Sequence, residues 1–234
     1  MLYVQEYNSF NGRLNDGISD DVNHGNFDME AVEDCRSMFE GCVKFNQMVS
    51  GEFRYVRDMS RMFYGATSFN KDVTCLSTNC RDFSHMFYNA TAFNGGLIVN
   101  KNSTFYHPNE DETLNHGVDL SYMFFNARSF NQDISGWNVS LCNMKNMFNG
   151  AVSFNQNLNS WDLRYEIPFN TRELDGIFQN CKALDFEVTG WLSKFGSPYD
   201  FNIYHYFAGA DFMIERFFRW EGEEVDSDAN SEES

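Results

Sequence analysis

The chain has 234 residues, 34 acidic against 17 basic side chains, a formal charge of -17 and 25 phenylalanines. An excess of that sign opposes phosphate neutralisation, which argues against nucleic acid and anionic lipid as electrostatic partners. No apolar run approaches the roughly 18 residues that span a bilayer, and the first residues hold neither the basic region nor the apolar run of a secretory signal.

Residues 1–29 read as a degenerate first repeat or cap, in which Tyr3 leads to Phe10-Asn11 and then Leu14. Residues 30–191 carry a recurring motif, Met-Phe-x-[Gly/Asn]-Ala-x-x-Phe-Asn. It starts at Met38 (with Cys42 in the alanine slot), Met62, Met86, Met123 and Met147, and in altered form at Ile177 and, beyond this span, at Tyr206. Three of the four gaps between these methionines are 24 residues, and the one from Met86 to Met123 is 37. A fixed period in this range marks stacked units, each too small to bury its own apolar face. The expected fold class is α/β: a leucine-rich-repeat-like solenoid of about eight short helix-plus-strand units, with a parallel sheet on one face. The extra residues at 100–118 are expected as a surface loop.

Numbering each unit from its Met as zero, apolar residues fall at minus three, zero, plus one and plus four, as in Met59, Met62, Phe63 and Ala66. That stripe predicts a two-turn helix with one buried face. Asp58, Asp82 and Asp119 stand where an N-cap is needed, and Gly65, Asn89, Asn126 and Gly150 near the end. At plus eleven a single apolar residue sits between polar neighbours: Val49, Val73, Leu97, Ile134, Leu158 and Val188. Alternation of this kind predicts a short, half-buried strand. Trp137, Trp161 and Trp191 are expected to close the turn between the two layers. Phenylalanines at plus one and plus seven are spaced for stacking inside the array, so they read as core rather than as a ligand platform.

Residues 192–220 read as a degenerate last repeat and cap, with 211–220 as an amphipathic closing helix. Residues 221–234 hold seven acids and no Lys or Arg, the composition of a disordered tail.

Chemistry-bearing patterns are sparse. There is no Gly-x-Ser-x-Gly, Walker or Gly-x-Gly-x-x-Gly signature. His24, His85, His107, His116 and His205 lack metal-ligand spacing, and no Cys-x-x-Cys pair exists. Cys35, Cys42 and Cys181 take apolar slots of the repeat and read as small core residues. Cys75, Cys80 and Cys142 lie between motifs and are expected as reduced thiols. The sequons at Asn89, Asn102 and Asn138 are what an Asn-, Ser- and Thr-rich chain produces by chance. No catalytic residue, metal or cofactor is expected.

The sequence DLSYMFFNARSFNQDISGWNV over residues 119–139 resembles the repeat of BspA-type leucine-rich-repeat surface proteins. Such repeats are abundant in mycoplasma surface lipoproteins and recur in some protists, algae and large DNA viruses. The resemblance covers residues 30–191 well and the flanks faintly. It implies a leucine-rich-repeat-like fold and a role as adhesin or surface protein, although the chain lacks the signal peptide and lipobox cysteine of the surface lipoproteins. The function expected is a non-catalytic protein-interaction scaffold, with a structural or virion component, packing through its array, as the alternative. Positions plus ten and plus twelve flank the buried strand residue and form the expected binding face: Met48, Ser50, Asp72, Thr74, Asp133, Ser135, Asn157, Asn159, Glu187 and Thr189. Their acidic, amide and hydroxyl groups suit a basic or polar protein partner. The compartment is left open, with the missing signal favouring an intracellular or virion setting.

Overall fold

The computed structural model of the protein describes residues 33–49, 53, 55–73, 79–97, 117–140, 142–161, 174–186 and 203–211. Within these, the Met-Phe segments do not form the expected two-turn helices. The residue before the Met position is left-handed in each: Ser37, Arg61, His85, Tyr122, Asn146 and Gly176 have φ between 53° and 67°. So is the residue three beyond it, with Gly41, Gly65, Asn89, Asn126, Gly150 and Asn180 between 55° and 78°. An α-helix admits neither. Each such residue instead sits third in a four-residue turn of type II, the position that demands positive φ.

Hydrogen bonding shows how the turns build an array. Inside one repeat, Met62 N–H donates to Met59 C=O at 3.3 Å and Ala66 N–H to Phe63 C=O at 3.0 Å. The alternate donors reach the next repeat: Met59, Arg61, Phe63 and Gly65 give to the carbonyls of Asp82, Ser84, Met86 and Tyr88 at 2.7–2.9 Å. The apolar stripe at minus three, zero, plus one and plus four is therefore real, but consecutive turns produce it rather than a helix. The expected N-cap aspartates have a related task. Asp58, Asp82 and Asp119 accept the backbone N–H two residues on, from Ser60, Ser84 and Ser121 at 2.8–2.9 Å, which is an Asx turn.

Strand pairing is reduced to isolated parallel bridges. One row links Asp34, Asp58, Asp82, Asp119 and Asn143, and another links Val49, Val73 and Leu97. Ile134 and Leu158 are buried as the alternation requires; Val188 lies outside the described residues. Beside the second row runs a ladder that explains the asparagine after each second phenylalanine. Asn46, Asn70, Asn94, Asn131 and Asn155 each accept, through Oδ1, the N–H of the equivalent residue one repeat later at 2.8–2.9 Å, ending at Asp185.

The core is two columns of stacked rings. Phe39, Phe63, Phe87, Phe124, Phe148, Phe178 and Phe207 follow one another at 5.3–5.6 Å between centroids. Phe45, Phe69, Phe93, Phe130 and Phe154 follow at 5.7–5.9 Å. Trp161 is fully buried and its indole N–H donates to the Ile134 carbonyl at 3.0 Å, so it ties two repeats together. Cys35, Cys42, Cys80, Cys142 and Cys181 are buried, and desolvation pushes the Cys80 thiol up to about 12, so these sulfurs serve as packing. Cys75 and Trp191 lie outside the described residues.

The 37-residue gap leaves the register untouched. Phe83 N–H still meets Asp119 C=O at 2.9 Å, and Phe87 N–H meets Met123 C=O at 2.8 Å. The only α-helix among the described residues, α1, spans Ile203–Phe207. The expected closing helix lies outside the described residues apart from Asp211, as do the first repeat and the acidic tail.

Candidate interaction surface

Turns that direct the minus-three, zero, plus-one and plus-four side chains inward leave minus one and plus two half-exposed. Because repeats pair in register, equal offsets stack. At plus two, Tyr64 lies 4.7 Å from Tyr88 with planes 2° apart, and Tyr88 lies 4.6 Å from Phe125 with planes 3° apart. At minus one, His85 stacks on Tyr122 at 4.7 Å. The two columns touch through His85 against Tyr88 at 5.6 Å and Tyr122 against Phe125 at 5.8 Å. Five half-buried rings thus form one continuous strip.

Polar groups rim the strip at both ends. Arg61 lies over the Tyr64 ring with its guanidinium carbon 4.2 Å from the centroid. Its guanidinium also pairs with the Glu40 carboxylate, which accepts the Ser37 hydroxyl as well. Arg61 and then Ser37 hold the Glu40 carboxyl below its ordinary range. At the other end Asn149 donates to Asn146 at 2.8 Å and to Gln179 at 3.2 Å, while Asn180 donates to Asn149 at 3.1 Å. His205 meets Asp175 at 2.6 Å beside them. Desolvation, and then the Arg61 charge, lower the His85 imidazole below its ordinary value. Desolvation also raises the Tyr88 phenol. An apolar aromatic centre within a polar rim is the anatomy of a protein-binding patch.

Backbone conformation adds a second observation. Asn146 and Gly176 adopt left-handed φ at little cost, whereas Arg61, His85 and Tyr122 adopt 57–58° at the same offset. For a long or ring-bearing side chain that conformation costs on the order of 1–2 kcal/mol. The turn does not select these residues, so their side chains must account for their presence.

The face expected from sequence is only partly described. Met48, Asp72, Asp133 and Asn157 are exposed, and Ser135 and Asn159 are half-buried. Ser50, Thr74, Glu187 and Thr189 lie outside the described residues. Three of these side chains hold backbone through one oxygen: Asp72 accepts from Gly96 N–H of the next repeat, Asp133 from Ser135 N–H and Asn157 from Asn159 N–H, at 2.8–2.9 Å. A two-turn helix with one buried face hides the aromatic strip, since it leaves the minus-one and plus-two positions simply facing solvent. The available signal was the run of rings at plus two, Tyr64, Tyr88 and Phe125, at positions a solvated face fills with polar residues.

Residues 6–107 and 100–211 each match the family model described as "Mycoplasma protein of unknown function, DUF285". The chain belongs to this family. No curated protein and no solved structure matches it. The two DUF285 matches meet at residues 100–107, inside the long gap between Met86 and Met123. Among the described residues, no helix is long and apolar enough to cross a membrane, and no group of three or more His, Cys, Asp or Glu could hold a metal.

Proposed function

We propose that this DUF285 repeat protein is a non-catalytic binding scaffold, folded as a leucine-rich-repeat-like solenoid of the BspA type. In this reading a protein partner docks on the strip formed by Tyr64, His85, Tyr88, Tyr122 and Phe125. The observation that carries it is the left-handed backbone at Arg61, His85 and Tyr122, retained where Asn or Gly fits more easily. Tyrosine and arginine supply large contact area with few rotors, which is why they dominate binding hot spots. Backbone strain of this kind persists where a side chain's role outweighs it. The polar face at Asp72 and Asp133 is a secondary surface suited to a basic partner.

Quantitative capture from the native host extract tests the reading. A Tyr64→Ser/Tyr88→Ser/Tyr122→Asn variant is expected to lose the proteins held by the parent, and Asp72→Lys/Asp133→Lys to keep most of them. Loss in the charge variant with retention in the strip variant contradicts the assignment. Light scattering over a concentration series separates the alternative: self-association abolished by the strip variant makes the array a structural component, and a strict monomer supports the scaffold.

A further inference from the structure

Two arginines occupy the same offset in successive repeats, five residues before the Met: Arg57 and Arg81. Backbone pairing sets them side by side, with Arg81 N–H donating to Arg57 C=O at 2.9 Å and Arg57 N–H to Glu33 C=O at 2.8 Å. Both side chains are exposed and, with Glu33, Tyr55 and Asn79, they line a cavity of about 360 Å³. Arginines nearby are neutralised locally, Arg36 by Asp34 and Asp58 and Arg61 by Glu40. Arg57 and Arg81 form no ion pair among the described residues. Neighbouring strands lie about 4.8 Å apart, so guanidiniums at equal offsets repel unless an anion sits between them. In a chain of charge -17, this cavity is a local reversal of sign.

We infer that the Arg57–Arg81 cavity binds a carboxylate group. The guanidinium fork matches a planar, two-oxygen acceptor, and two forks at one spacing can share it. Two positive charges less one from Glu33 leave the lining at +1, which balances one carboxylate and leaves a phosphate dianion in excess. The exposed Tyr55 hydroxyl adds a further donor at the wall. The site shares no residue with the aromatic strip, so either can fail alone.

The test is an NMR titration of the full chain with N-acetylglutamic acid α-amide, at ionic strength held constant with sodium chloride. The Nε–H signals of Arg57 and Arg81 are expected to shift and saturate with a Kd of about a millimolar. Arg57→Gln or Arg81→Gln is expected to weaken binding by about ten-fold or more, and Glu33→Gln to tighten it several-fold, with unchanged thermal melting. Shifts that never saturate and match those from sodium chloride alone would overturn the site. So would inorganic phosphate binding more tightly than the carboxylate at equal ionic strength.

Discussion

Inside the repeats Phe63, Phe87, Phe124 and Phe148 stack at 5.3–5.6 Å; on the surface Tyr64, Tyr88 and Phe125 stack at 4.6–4.7 Å. Both ladders have one cause, since repeats paired in register bring equal offsets together. Stacking geometry therefore cannot say which rings the fold needs. Substitution along each column can. The inner column is phenylalanine from Phe39 to Phe207, whereas the outer runs Glu40, Tyr64, Tyr88, Phe125, Asn149 and Gln179. The dry columns hold only apolar side chains, with Leu184 following Phe154 at plus seven, while the outer one works equally with charge, ring or amide. The outer rings are thus free to be selected for contact with something else.

Breaking the inner column should have the largest effect. Phe124→Ala removes a fully buried ring and should cost about 3–5 kcal/mol, read by chemical denaturation. Next is Gly95→Ala, where a Cβ would overlap the Lys71 carbonyl oxygen of the adjacent repeat. Backbone must move, and a loss of about 1–3 kcal/mol is expected. The asparagine ladder ranks third. Asn131→Ala should cost about 1 kcal/mol, whereas Asn131→Asp keeps the acceptor and should melt close to the parent at neutral pH. Tyr88→Ser, on the outer column, should change stability by under about 1 kcal/mol while reducing partner capture. If Tyr88→Ser proved as destabilising as Phe124→Ala, the distinction between the two columns would be lost.

The smallest effect is a pH dependence. The folded His85 imidazole sits below its ordinary value of 6.5. Above that value it is neutral in both states and contributes nothing to the balance. As pH falls through it, the unfolded chain takes up the proton first, so stability declines. His85→Gln should flatten denaturation midpoints between about pH 7 and 5. An identical decline in the variant would assign the effect to other groups.

The repeat and its inward residues were legible because burial imposes a period on sequence; the expected surface loop at 100–118 lies outside the described residues apart from 117 and 118. The turn conformation was not legible, because Met59, Met62, Phe63 and Ala66 satisfy a helical stripe and a pair of consecutive turns equally well. Gly65, Asn89, Asn126 and Gly150 held the missing information. They were read as helix ends, but each is the left-handed member of a turn, and it is partnered four residues earlier by Arg61, His85, Tyr122 or Asn146. Nothing in the residue type of arginine or tyrosine announces left-handed backbone, and histidine visits it only somewhat more often than most. The surface strip was hidden for the same reason, because minus one and plus two, three residues apart, share the outward face of a helix as well as that of the turns. Arg57 and Arg81 share an offset in plain view, but only pairing in register makes them neighbours.

Scalar coupling across hydrogen bonds, measured by NMR on the full chain, tests the turn-built array most directly. The amide nitrogen of Phe63 should couple to the carbonyl carbon of Met86, and that of Phe124 to the carbonyl of Met147, one repeat later in each case. Coupling of Phe63 to the carbonyl of Met59, four residues earlier as in an α-helix, would contradict the account.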